Sequence, residues 1–360
     1  MSSNIYPEKI IFITGSLGNG GAERQLYYSI KLLKEKKIEI LILSLSDNKY
    51  YLKKINNLGV DVKIFNWNNN PLSKLCFIIL HCIRYNPKIL QSVHSYVNIY
   101  TMLASKILRK IFYASVRDEF NSWSKNKFLN YFSLKYADRI ICNSYLSINQ
   151  LKHQGFLKPK LFYLANYIDT SLYKPNIKQK SETLRILYLG GLRKVKRIDK
   201  FLFICSYLKT KNINFKAKIV GSGVLEEELK NIAQSLSLSN NDLKFFPETD
   251  SVLKYYNWSN ILIQTSSSEG MSNVIIESMA CGLLVFSTNV GDAPHLIENG
   301  KNGFIFNSDH SESMSGEFLR IIQDKSIDFS KIRNDAVKTI KEKHTFKRFN
   351  LNISKLYENY

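Results

Sequence analysis

The stretch from Ile261 to Val285 constrains this chain more than any other. An apolar run, Ile261 to Ile263, enters a polar loop of serines; a helical pattern from Val274 to Ala280 follows, and a second apolar run begins just past Gly282. Strand, loop, helix and strand in so short a space describe two parallel neighbours joined by a crossover helix. Ser272 or Asn273 suits the helix N-cap, and Gly282 suits the position just beyond its end. Glu269 falls in the loop and Glu277 about one turn inside the helix, so two carboxylates and a row of free backbone N–H groups converge at the carboxyl end of a strand. Such a set fits a sugar nucleotide. One carboxylate can take the hydroxyls of a hexose and the other those of a ribose, while the helix N-terminus favours the diphosphate between them. Gly270 lets the backbone come close. Spacing alone fits equally a solvated loop glutamate followed by an ordinary helical one.

The same rhythm runs through the whole chain. Apolar runs at Ile10–Thr14, Ile38–Leu45, Val60–Phe65, Ile89–Val93, Ile111–Val116, Arg139–Asn143 and Leu161–Leu164 alternate with helical patterns such as Ala22–Lys36, Tyr100–Arg109 and Lys125–Tyr136. Strands separated by helices imply parallel pairing. A second series, Arg185–Leu189, Phe215–Val220, Leu243–Phe246, Ile261–Gln264 and Leu284–Thr288, follows the lysine-rich linker Ile177–Thr183. The expected fold is α/β, two doubly wound Rossmann-like domains facing a cleft: 1–175, 176–343, and a helical segment 344–360 that crosses back to the first domain. The first turn, Gly15-Ser16-Leu17-Gly18-Asn19-Gly20-Gly21, is glycine-rich but is not G-x-G-x-x-G, so no dinucleotide site is indicated.

Composition bounds the alternatives. A hydrophobic content of 44% with 22% charged residues describes a globular chain. Five cysteines, scattered within apolar runs, read as buried thiols in a reducing compartment. No apolar stretch approaches the roughly 18 to 20 residues needed to span a bilayer, and the N-terminus lacks a signal pattern, so a cytoplasmic chain is expected. The net charge of +21 calls for phosphates of some kind. Between Lys106 and Lys135, basic residues are interleaved with Ile107, Phe128, Phe132 and other apolar side chains. That pattern fits an anionic membrane surface, and it fits equally a core-facing helix with solvated lysines.

Four basic residues in five positions follow the turn Gly190-Gly191: Arg193, Lys194, Lys196 and Arg197. They can neutralise a diphosphate leaving group or form a solvated loop.

The words S-x-x-E-G-x-x-N-x-x-x-E-x-M-A-C-G around Glu269 and Glu277 resemble the signature of the retaining GT-B glycosyltransferases numbered family four. G-G-A-E-R at Gly20 to Arg24, N-Y-I-D at Asn166 to Asp169 and G-S-G at Gly221 to Gly223 resemble its other landmarks. The resemblance implies transfer of a sugar from a nucleotide diphosphate to an acceptor hydroxyl with retention at the anomeric carbon and no metal. It implies that Glu269 holds the donor hexose and that Lys196, helped by Arg193, holds the diphosphate. Glu277, Gly270, Met271, Ser272, Asn273, Gly221, Gly20 and Gly21 would complete the donor site. Glu23, Arg117 and Asp118 would face a saccharide or lipid-linked acceptor, of the kind built into surface polysaccharide at the cytoplasmic face of the inner membrane. The sequence departs from the pattern at Gly191, where the family has arginine, at Tyr167, where it has glycine, and at His295, where it has glutamate. A nucleotide-sugar epimerase of the same fold and a catalytically silent partner subunit are the alternatives. Nucleic-acid binding rests on charge alone and is not expected.

Overall fold

A computed structural model describes residues 6–66, 70–117, 127–176, 183–358 and 360. The chain forms two units, Met1–Tyr167 with Phe346–Tyr360, and Ile168–Thr345.

The first unit opens with β1 (Lys9–Thr14), α1 (Gly21–Glu35), β2 (Glu39–Ser44), α2 (Leu52–Asn56), β3 (Asp61–Ile64) and α3 (Pro71–Tyr85). It continues through β4 (Ile89–Ser92), α4 (Asn98–Leu108), β5 (Ile111–Val116), α5 (Lys127–Lys135), β6 (Arg139–Cys142), α6 (Tyr145–His153) and β7 (Leu161–Tyr163). The second unit contains β8 (Leu184–Leu189), α7 (Ile198–Thr210), β9 (Phe215–Val220), α8 (Glu226–Ser235), β10 (Leu243–Phe246), α9 (Leu253–Trp258) and β11 (Ile261–Gln264). After these come α10 (Asn273–Ala280), β12 (Leu284–Ser287), α11 (Ala293–Leu296), β13 (Phe304–Ile305), α12 (Ser311–Gln323) and α13 (Phe329–Lys343). Helix α14 (Phe346–Tyr357) then belongs to the first unit again.

Both sheets are parallel, ordered β3-β2-β1-β4-β5-β6-β7 and β10-β9-β8-β11-β12-β13. The chain therefore reverses its direction of travel across the sheet between β1 and β4 in one unit and between β8 and β11 in the other. In open α/β sheets these switch points leave a crevice beyond the carboxyl ends of the strands, where ligands bind. The α/β, two-Rossmann architecture expected from the sequence is the one observed.

Side chains alternate between the faces of the first sheet. Ile10, Phe12, Ile40 and Ile42 pack with α1 and α14, while Ile11, Ile13, Leu41 and Leu43 pack with Phe77, Ile78 and Cys82 of α3. Nothing in the sequence analysis assigned a helix to α3, whose run Leu75–Ile83 is apolar on more than one side, its polar residues being few: Ser73, Lys74, His81 and Arg84. Its start is nonetheless written plainly: Asn70 accepts from the Leu72 amide, Pro71 occupies the first helical position, and Asn86 ends the helix in the left-handed region. Cys76, on this helix, is exposed, which corrects the expectation that all five thiols are buried.

The boundary lies at Tyr167 and Ile168 rather than after Pro175. Tyr167 exchanges two hydrogen bonds with the Gln25 side chain, at 2.9 and 2.8 Å, and stacks on Phe349 of α14 with ring centroids 5.5 Å apart. Six residues later Tyr173 already lies edge-on to Tyr256 of α9, within the second unit. Tyr167, the departure from the glycine that the resemblance implies, is thus an anchor for α14.

Candidate active site

Each switch point carries a polar cluster that bridges two loops. In the second unit the loops follow β8 and β11. Glu269 forms an ion pair with Lys196 across them, with both side chains mostly buried. The Gln264 side-chain amide donates to Glu269 Oε1 at 3.1 Å and the Ser266 hydroxyl donates at 2.7 Å. Gln264, the last residue of β11, also accepts from the Ser272 hydroxyl at 2.7 Å. Ser272 in turn is the N-cap of α10. The strand end, the loop carboxylate and the helix start are therefore tied into one network. It keeps the donors of the first α10 turn beside the carboxylate.

Main-chain bonds fix the same loops. Thr265 donates its hydroxyl to the Arg197 carbonyl at 2.8 Å, and the Ser267 amide donates to Val195 at the same distance. Gly270 accepts from the Asp292 amide, and Met271 is buried beside it. Asn273 opens α10. Arg193 is exposed at the head of the 3-10 turn Lys194–Lys196, with its side chain lying over Gly191.

Glu277 lies deeper, inside α10, where Tyr256 donates to its Oε2 at 2.8 Å from a fully buried position. Gly221 follows β9 with φ +152°, and a Cβ there would stand 2.0 Å from the Gly190 carbonyl oxygen. The two loops touch backbone to backbone, which itself demands glycine. Gly221→Ala is expected to destabilise the second unit by about 2 kcal/mol or more through strain and this collision. A urea midpoint followed by tryptophan fluorescence checks it, since Trp258 is in this unit.

In the first unit the loops follow β1 and β4. The Ser16 hydroxyl donates to Glu23 Oε1 at 2.7 Å, and His94 Nε2 faces the same oxygen at 3.4 Å. The Gly15 amide donates to His94 Nδ1 at 3.2 Å, so the neutral ring carries its proton on Nε2, toward the carboxylate. Tyr96 stacks on the His94 ring and occupies the space a Gly15 side chain would need. Gly20 caps α1 without a side chain and Gly21 begins it; a Cβ on Gly20 would strike Glu23. Arg117, at the end of β5, donates from Nε to the Val93 carbonyl at 3.2 Å. Asp118 lies outside the described residues. His94 was missed in the sequence analysis: a lone histidine carries no spacing signal, although its place just beyond a strand at the reversal of strand order would have pointed to it.

Burial pushes the Glu23 carboxyl up, but the bonds from His94 and Ser16, with the nearby His94 ring, outweigh it and leave the group below its ordinary range. A carboxyl lowered by folding stabilises the folded state above its unfolded pKa and loses that contribution as pH falls through the folded value. Glu23→Gln is therefore expected to lower the calorimetric midpoint at neutral pH, with the gap to wild type closing below the ordinary glutamate range.

Two parallel Rossmann-like units, each with a loop cluster at its switch point, are the arrangement of the GT-B fold. The structure of Anabaena Alr3699/HepE in complex with UDP-glucose superposes with a TM-score of 0.83 at 19% identity, covering 97% of this chain and 98% of that one. The family model of glycosyl transferases group 1 matches residues 169–343. It is 28% identical over 320 residues to an uncharacterized glycosyltransferase of Haemophilus influenzae, across 85% of this chain and 88% of that one. It is also 30% identical over 244 residues to the N-acetylgalactosamine-N,N'-diacetylbacillosaminyl-diphospho-undecaprenol 4-alpha-N-acetylgalactosaminyltransferase of Campylobacter jejuni, across 62% and 65%.

Proposed function

We propose that the chain is a retaining, metal-independent transferase that moves a sugar from a nucleotide diphosphate donor to a hydroxyl of a saccharide or lipid-linked acceptor, in the assembly of a surface polysaccharide. The observation that carries this reading is the Lys196–Glu269 pair at the switch point of the second unit. The solved structure that superposes on this chain holds UDP-glucose, and the Campylobacter relative is named for an acceptor on diphospho-undecaprenol; both support the substrate class.

In this reading Lys196 and the α10 N-terminus carry the diphosphate, as fixed positive ends in a dry site. Glu269 takes hexose hydroxyls and Glu277 those of the ribose. The bond from the anomeric carbon to the phosphate oxygen breaks and the bond to the acceptor oxygen forms on the same face, with the acceptor proton passing to the departing phosphate oxygen. Gly221, Gly270, Met271, Ser272 and Asn273 shape the donor site, and Gly20 and Gly21 keep the loop after β1 open to a phosphate. Glu23 and Arg117, now joined by His94, serve the acceptor. The place of action is the cytoplasmic face of a membrane that bears the acceptor.

The test is incubation with a panel of nucleotide sugars and a lipid-linked or short saccharide acceptor, with and without a chelator. NMR of the product then reads the anomeric configuration. A product with the donor's configuration, formed equally with chelator, is expected. An inverted product, or activity abolished by the chelator, contradicts the proposal.

A further inference from the structure

On one face of the first sheet, α3 packs against α4 and α4 against α5. The inward sides of these helices fill the core, with Phe77, Ala104 and Leu134 buried. Their outward sides are not polar. Along α3, Leu72, Cys76, Leu80 and Ile83 are all exposed, at the spacing of one helix face. On α4, Leu103 and Ile107 are exposed one turn apart, Ile107 by 59%. On α5, Phe128 is 77% exposed and stacks on Phe132, which meets Tyr136 edge-on at 4.8 Å. Phe128, Phe132 and Tyr136 thus lie outside the core, while Phe112 and Tyr131 of the same segment pack into or against it.

Charge on the same helices has one sign. None of α3, α4 and α5 contains an aspartate or glutamate. Arg84, Lys106, Arg109 and Lys135 are exposed among the apolar side chains, and the Lys106 ammonium stands 5.0 Å from the Tyr136 ring centroid. Three neighbouring helices that expose leucine, isoleucine and phenylalanine would be a liability in water. Lysine and arginine between them, with no acidic partner among the described residues, match a surface that is itself negative and has an apolar interior beneath. No helix among the described residues is long and apolar enough to cross a membrane, so the attachment is lateral.

We propose that the outward face of α3, α4 and α5 is a docking surface for an anionic lipid bilayer. The exposed apolar side chains enter the headgroup boundary and the four cations bind lipid phosphates. This deepens the lipid-borne acceptor reading by naming the surface that brings the chain to its substrate. Binding is measured without donor or acceptor, so its failure and a failure of sugar transfer are told apart.

The experiment is co-sedimentation of the full chain with extruded vesicles of phosphatidylcholine alone or with about 30% phosphatidylglycerol, a content that gives a strong surface potential. Binding to the anionic vesicles, weakened by salt, is expected. A double substitution Ile107→Ser and Phe128→Ser is expected to lower the partition coefficient by about tenfold or more, and Lys106→Glu with Arg109→Glu to do so through charge. All four side chains are exposed, so folding is spared, and unchanged far-UV circular dichroism checks this. Val224→Ser, at a residue 92% exposed in the second unit, serves as the control that leaves binding unchanged. Absence of binding to anionic vesicles overturns the proposal, as does equal binding by the substituted chains. A wild-type chain that dimerises through this face and ignores vesicles overturns it in favour of a second copy.

Discussion

Glutamine in place of Glu269 is expected to cut sugar transfer by about 10²- to 10³-fold, the scale of losing one pre-aimed polar group in a water-poor site, while nucleoside diphosphate binding is kept or tightened. The reason lies in the ion pair. In the structure the carboxylate occupies the ammonium of Lys196, the group proposed to receive the diphosphate. Donor phosphate and Glu269 compete for one cation, and a neutral amide removes the competitor. The amide keeps the length of the side chain but loses the negative oxygens to which Gln264 and Ser266 donate. Calorimetric titration with UDP, set beside turnover of a donor, separates the two effects. Parallel losses of binding and transfer would assign Glu269 to the nucleotide instead.

Glu277→Ala is expected to act in the opposite way, raising the nucleotide dissociation constant by about tenfold or more, as befits loss of a charged hydrogen-bond partner worth roughly 1.5–3 kcal/mol. A second consequence follows from burial. Tyr256 is fully buried and donates to Glu277, so removing the carboxylate leaves that phenol without this acceptor. A thermal-midpoint drop is therefore expected to accompany weaker binding. Tyr256→Phe gives the comparison: it leaves the carboxylate in place and is expected to weaken nucleotide binding less than Glu277→Ala. Unchanged UDP affinity in Glu277→Ala would remove the ribose role.

These expectations trace back to features written unevenly in the sequence. Strands were legible because runs such as Ile10–Thr14, buried throughout, and Phe215–Val220, with alternate residues buried, are β-rich between turn residues, and they fall within a residue or two of the observed limits. The α10 stretch was legible down to its caps, Ser272 at one end and Gly282, with φ +70°, past the other. Helix α3 was hidden because its outer surface carries Leu72, Leu80 and Ile83 while its inner one carries Phe77 and Ile78, so apolar spacing alone does not name the buried face. His94 was hidden because its meaning comes from strand order, which brings the end of β4 beside the end of β1. The partnership of Glu269 with Lys196 spans positions far apart in the chain, and only the adjacency of β8 and β11 makes them neighbours.

The path of the chain has a consequence for biosynthesis. Helix α14 follows the second unit in translation order, yet its Ile353, Leu356 and Tyr357 lie in the interior of the first, and the Leu356 carbonyl accepts from Arg139 at 2.9 Å. A ribosome that has finished β7 has made a sheet with one flank covered by α1 but not yet by α14. The place of α14 stays wet while the entire second unit emerges and folds. The amino-terminal half is thus the earlier to be synthesised and the later to be completed.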